Sequence, residues 1–171
     1  MTVSSNYRAA VTLPTDEQIL IEREFDAPKH LVYKAYTTPE LVKRWWHAKR
    51  GEMTIAEIDL RVGGRWRYVM VCGDGTEIGF HGEYREIVPN ERLVTTEVFE
   101  GLPEGVSEDD AATLDTATFA EAGGRTTLTI LVEAKNKVSR DAIIDSGMEA
   151  GLQDALELLE QVAVSITERA R

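Results

Sequence analysis

One cysteine, Cys72, is all that the chain offers for covalent cross-linking. That excludes an internal disulfide and any cysteine-rich zinc site, and it makes a reducing compartment the natural setting. Long hydrophobic runs are missing too. No stretch reaches the roughly 20 apolar residues of a membrane-crossing helix, and the N-terminus, MTVSSNYRAAVTLP, lacks the apolar core of a signal peptide. The expected location is cytoplasmic, with no membrane span. Positive charge is scarce: 19 Lys and Arg face 30 Asp and Glu, for a formal net charge of -11. Such a field repels phosphate backbones and anionic membrane surfaces, so no nucleic acid is expected as a partner.

The usual catalytic signatures are absent as well. There is no GxSxG nucleophile elbow and no P-loop. Gly73, Gly75 and Gly79 miss the dinucleotide-binding spacing and fit a hairpin turn instead. His30, His47 and His81 are scattered, without the paired spacing that metal sites favour. No metal site and no cofactor are expected.

What is present is an ordinary globular composition, 43% hydrophobic and 29% charged, over 171 residues. That length suits one domain, spanning 1–171 and opening with an extended arm over 1–17. QILIEREF reads as a first strand with Ile19, Ile21 and Phe25 on one face, interrupted by Arg23, which must be paired or lie near the strand end. Asp26-Ala27-Pro28 and Thr38-Pro39-Glu40 each read as a helix start, with a capping residue followed by proline. The second of these short helices carries Trp45 and Trp46 inside LVKRWWHAKRG, the most basic run of the chain.

From about residue 53 the apolar period changes to two. MTIAEIDLRV, RWRYVMVC, EIGFHGEYREIV, ERLVTTEVF, ATLDTATFAEA and RTTLTILVEA read as six more strands, separated by turn signals such as Gly63-Gly64 and Gly123-Gly124. Their short connections require antiparallel pairing. A long helix over about residues 139–167 closes the chain, with Ile144, Met148, Leu152, Ala155, Leu159, Val162 and Ile166 in one stripe. Such a helix needs a broad apolar partner. The fold class is α+β: a seven-stranded antiparallel sheet wrapped around the C-terminal helix, with two short helices after the first strand. Gly147 and Gly151 in that helix allow a close approach to the sheet, a helix that begins only after Gly147, or room for a ligand.

Trp66, Tyr68 and Met70 share one strand face, and Phe80, Gly82 and Tyr84 share another. Such faces are either solid core or the lining of a pocket, since small residues beside large rings leave space. Glu97 either faces solvent or enters that pocket. Buried, its pKa would rise and it could act as a general acid or base, with Tyr84 as the alternative candidate.

FDAPKHLVYKAYTTPELVKRWWH, EIDLRVGGRWRYVM, GEYREIVPNERLV and SRDAIIDSGMEAGLQDALELLEQV, in that order, resemble the SRPBCC (START-like) superfamily. Within it they resemble the group related to the activator of heat-shock-protein-90 ATPase. The resemblance runs from about Val11 to Ile166 and implies a helix-grip fold with a deep apolar cavity between sheet and helix. By position, it implies a ligand lining of Val32, Tyr36, Trp45, Trp46, Trp66, Tyr68, Met70, Phe80, Gly82, Tyr84, Phe99, Met148 and Leu152.

In this reading one tryptophan of the pair anchors the second helix and the other covers the cavity mouth. Lys43, Arg44, Lys49 and Arg50 would surround the entrance and favour ligands with an anionic end. The expected partner is an apolar or amphipathic small molecule. A cyclase- or hydrolase-type enzyme using Glu97 or Tyr84 is one alternative. A co-chaperone-like interaction domain is another, and a homodimer stays open.

Overall fold

Every backbone N–H and C=O along a strand needs a partner, and the order of pairing sets the shape of this molecule. The computed structural model describes residues 7–169. Its strands are β1 (Ala10–Thr12), β2 (Gln18–Phe25), β3 (Gly51–Ile58), β4 (Arg65–Cys72), β5 (Glu77–Val88), β6 (Arg92–Phe99), β7 (Thr113–Ala122) and β8 (Arg125–Glu133). They form one sheet in the order β1-β2-β8-β7-β6-β5-β4-β3, antiparallel at each step.

The sheet has eight strands where the sequence predicts seven. The addition is β1, taken from the expected arm and paired to β2 through Val11 and Ile21. It covers what would otherwise be the open backbone edge of β2. Residues 1–6 of the arm lie outside the described residues.

The helices are α1 (Lys29–Thr37), α2 (Pro39–Val42), α3 (Glu108–Ala111), α4 (Lys137–Asp145) and α5 (Met148–Arg169). Three expectations fail here for local reasons. The single helix over 139–167 is two, broken where Gly147 adopts a φ of 82°, a left-handed conformation that glycine alone takes without strain. α4 begins at Asn136, whose side chain accepts a hydrogen bond of 2.8 Å from the N–H of Ser139. The second short helix stops at Val42 rather than carrying both tryptophans. Residues 43–50 run on in turns, with Ala48 and Lys49 at φ 53° and 63°. Asp26 caps nothing either: its own N–H donates to Glu160 Oε2 over 2.8 Å.

α5 packs beside α1 on one side of the sheet. Phe25, Val32, Leu128, Leu156 and Leu159 are completely enclosed there, joining β2, α1, β8 and α5 into one core. Arg23 falls on the same buried face of β2, and it is paired. Its guanidinium meets Glu160 of α5 at 3.4 Å, with side chains only 2% and 8% exposed. No helix among the described residues is long and apolar enough to cross a membrane.

Candidate functional site

Cross-strand register assigns side chains to the helix-facing side of the sheet, because directly paired residues point the same way. Trp66 pairs with Gly82 and Tyr68 with Phe80. Phe80 pairs with Phe99, and Tyr84 with Thr95. Thr95 pairs with Asp115, and Glu97 with Thr113. Glu97 therefore faces the helices and not the solvent. A second carboxyl, Asp115, arrives beside it from β7.

The two carboxyls hydrogen-bond each other, and Thr113 Oγ1 donates to Asp115 Oδ1 over 2.8 Å. Burial pushes both carboxyls up, Glu97 well above the usual range; Asp115 adds to the rise at Glu97, while the hydrogen bonds from Glu97 and Thr113 hold Asp115 back. In the half-ionised pair, protonated Glu97 donates to ionised Asp115, which also accepts from Thr113. Protein atoms surround Glu97, Asp115 and Tyr36 on every side, yet all three retain accessible surface. The space they border between sheet and helices is the candidate hollow.

Three tyrosines share this space. Burial raises the pKa of Tyr36, Tyr68 and Tyr84, and Glu97 adds to the effect at Tyr36 and Tyr68. Tyr68 is 8% exposed and Tyr84 3%. Neither hydroxyl has a hydrogen-bond partner among the described residues, and neither is sealed off as the Tyr33 hydroxyl is. Rings fill the walls between them. Trp46 stands edge-on to Tyr68 and Phe80, with centroids 5.6 and 5.7 Å away. Trp66 lies 4.9 Å from Tyr68.

The tryptophan pair of the sequence thus divides its tasks. Trp45 is buried, stacks on Tyr36 at 5.5 Å, and donates Nε1–H to the Ala35 carbonyl over 3.0 Å. It anchors the turn to α1, while Trp46 reaches over the sheet. Gly82 is glycine for a reason of space: a Cβ there would stand 1.8 Å from Thr96 O and 2.6 Å from Trp66 Nε1. That indole donates to Thr96 O over 3.1 Å, and the N–H of Glu83 turns to Thr96 Oγ1 at 2.9 Å. The β5–β6 ladder opens at this point.

Not every expected lining residue sits alike. Val32 is completely enclosed in the core and presents no surface to a hollow. Met70 is buried at the far end of β4, opposite Met53 and Ile78. Phe99 is 39% exposed at the end of β6, its ring 5.2 Å from Phe80. Met148 and Leu152 lie half-buried on the first turns of α5, against the core.

The basic rim differs from expectation. Arg50 meets Asp154 at 3.2 Å, Lys49 meets Glu157 at 3.4 Å, and Arg44 donates to Ser165 Oγ over 3.2 Å. These cations clasp residues 43–50 to α5 and face its acidic side instead of an entrance. His47 serves the same turn, its Nδ1 accepting from the N–H of Lys49 over 3.0 Å.

Two hollows open elsewhere on the surface. One, of about 430 Å³, is lined by Glu57, Arg65, Arg67, His81 and Glu100 on the outer face, with Trp66 and Gly82 at its floor. Arg67 grips Glu100 with two bonds of 2.9 Å, and Arg67 and His81 hold that carboxyl below its usual range. The other, of about 270 Å³, lies between Arg85, Leu114 and Lys135. The first has its charges already matched and the second is open surface, so neither gathers the chemistry found inside. Among the described residues, no group of three His, Cys, Asp or Glu is placed to hold a metal ion.

A family model described as Activator of Hsp90 ATPase homolog 1-like protein matches residues 26–163. The chain is also similar to solved structures. A protein of Rhodobacter sphaeroides shares 23% identity at a TM-score of 0.82, over 92% of this chain and 99% of that one. A protein of Nitrosomonas europaea shares 22% at 0.78, over 93% and 100%. A protein of Chromobacterium violaceum shares 27% at 0.70, over 85% and 96%. No protein of curated function matches the chain.

Proposed function

The chain belongs to the Activator of Hsp90 ATPase homolog 1-like family, and on that footing we propose that it binds an apolar small molecule between its sheet and α5. It would act in the cytoplasm as a carrier or sensor. The observation that carries this reading is the pair of tyrosines, Tyr68 and Tyr84, whose side chains are more than nine-tenths buried among aromatic walls while their hydroxyls keep accessible surface and find no partner among the described residues. Buried polar groups ordinarily have partners, and those without one mark a place where something else supplies it.

Tryptophan fluorescence during titration with fatty acids, flavonoids and aromatic polyketides tests the reading. A saturable change is expected, because Trp46 and Trp66 border the hollow, and it should disappear in a folded Met148→Asp variant. A flat response to this panel and to apolar amines alike sinks the proposal.

A second reading is favoured by one observation, the neighbouring carboxyls of Glu97 and Asp115 on the helix-facing side of the sheet. A protonated buried carboxyl can serve as a general acid, and its ionised neighbour as a base. Compounds recovered from the wild-type protein would then be chemically altered, and those from Glu97→Gln would not. Unaltered compound from both removes the enzymatic reading.

A further inference from the structure

The charges around the hollow are distributed against the anionic ligand end that the basic run suggests. Lys49 and Arg50 are engaged with Asp154 and Glu157, and Arg44 with Ser165. Inside, the carboxyls of Glu97 and Asp115 lie side by side on the helix-facing side of the sheet, and no Lys, Arg or His among the described residues pairs with either. A buried charge with no counter-ion is costly, and a cation entering beside it removes that cost. The walls suit the same guest. Trp46, Trp66, Tyr68 and Phe80 surround the space with aromatic rings, whose faces attract ammonium groups. The Tyr68 and Tyr84 hydroxyls supply two further oxygen acceptors without partners of their own. At long range, the net charge of -11 draws cations toward the molecule.

We propose, on the footing that the hollow takes a small molecule, that its ligand is an apolar compound carrying a protonated amino group, which docks on the Glu97–Asp115 carboxyl pair inside the aromatic walls.

The test uses three probes with one hydrocarbon body and different ends: phenylbutylamine, phenylbutanol and phenylbutanoate. Each is titrated into the full chain by calorimetry, with tryptophan fluorescence as a second signal. The amine is expected to bind about tenfold or more tightly than the acid and more tightly than the alcohol. The amine-to-alcohol ratio should fall toward one in Asp115→Asn, with circular dichroism confirming that this variant folds. Glu97→Gln serves as the second variant, since it removes the proton donor while keeping the shape. Equal binding of all three probes, or tighter binding of the acid, overturns the inference and leaves the small-molecule reading standing. An amine preference that survives in folded Asp115→Asn overturns it too. If none of the three binds, the small-molecule reading falls and this inference with it.

Discussion

Arg23 of β2 and Glu160 of α5 meet inside the protein, 3.4 Å apart, and tie the C-terminal helix to the sheet. The pair does not stand alone. Glu160 also accepts the backbone N–H of Asp26 at 2.8 Å, and Arg23 donates to the Glu24 carbonyl at 2.8 Å. The Arg23 guanidinium also lies over the Phe25 ring, 4.7 Å from its centroid. Burial lowers the pKa of Arg23, while Glu160 opposes that shift and keeps the guanidinium charged.

Removing one member strands the other in the core. Glu160→Ala is therefore expected to lose about 3–5 kcal/mol of stability, read from urea denaturation followed by circular dichroism. The double variant Arg23→Met with Glu160→Leu should recover much of that loss, because no charge is left unpaired. A Glu160→Ala loss below about 1 kcal/mol, the range of exposed pairs, would show that the pair is not a tether.

Gly82 tolerates no side chain. A methyl group would collide with Thr96 O and the Trp66 indole, so Gly82→Ala is expected to cost about 1–3 kcal/mol or more. Trp66 emission should shift as its hydrogen bond to Thr96 O is lost. A variant with unchanged melting temperature and emission would contradict the crowding.

Gly147 is required by conformation, since space around it is open. At φ 82° an L-residue is strained, and Gly147→Ala is expected to lower stability by about 1–2 kcal/mol. The rival outcome is a gain, as alanine gives in a helix interior; it would mean that α4 and α5 run as one helix in solution.

The shared proton predicts a dependence of stability on pH. The folded pKa of Glu97 is raised above its unfolded value, so the folded state holds a proton that the unfolded chain releases. That contribution is complete below the unfolded value of about 4.3 and disappears as pH rises through the higher folded value. Asp115, Thr113 and the hydroxyls of Tyr36 and Tyr68 are the groups that face it, and none carries a positive charge that would lower its pKa and reverse the sign. Wild-type stability should therefore decline relative to Glu97→Gln as the pH rises above about 5, measured by urea unfolding at each pH. Parallel curves would place the proton elsewhere.

β2, β4 and β5 have the boundaries that the period-two pattern of the sequence predicts, because alternation is a local property of a strand. Arg23, a charge on an apolar face, had to be paired or near the strand end, and Glu160 makes it the first. Asp115 was missed. In TLDTATFAEA hydrophobicity alone would send Leu114 inward, yet Leu114 is exposed and Asp115 faces the core. The signal available was phase: Ala117 and Phe119 are buried on the same face, two and four residues on.

By itself, then, the sequence determined seven of the eight strands, the antiparallel α+β class and the aromatic faces, all of which follow from spacing along a few consecutive residues. Only the tertiary structure decided that Glu97 meets Asp115, that Arg50 meets Asp154 across 104 positions of chain, and that the long helix breaks at Gly147. Whether a charge is spare or matched depends on which distant strand or helix the sheet order brings beside it. Spacing along the chain carries no record of that order.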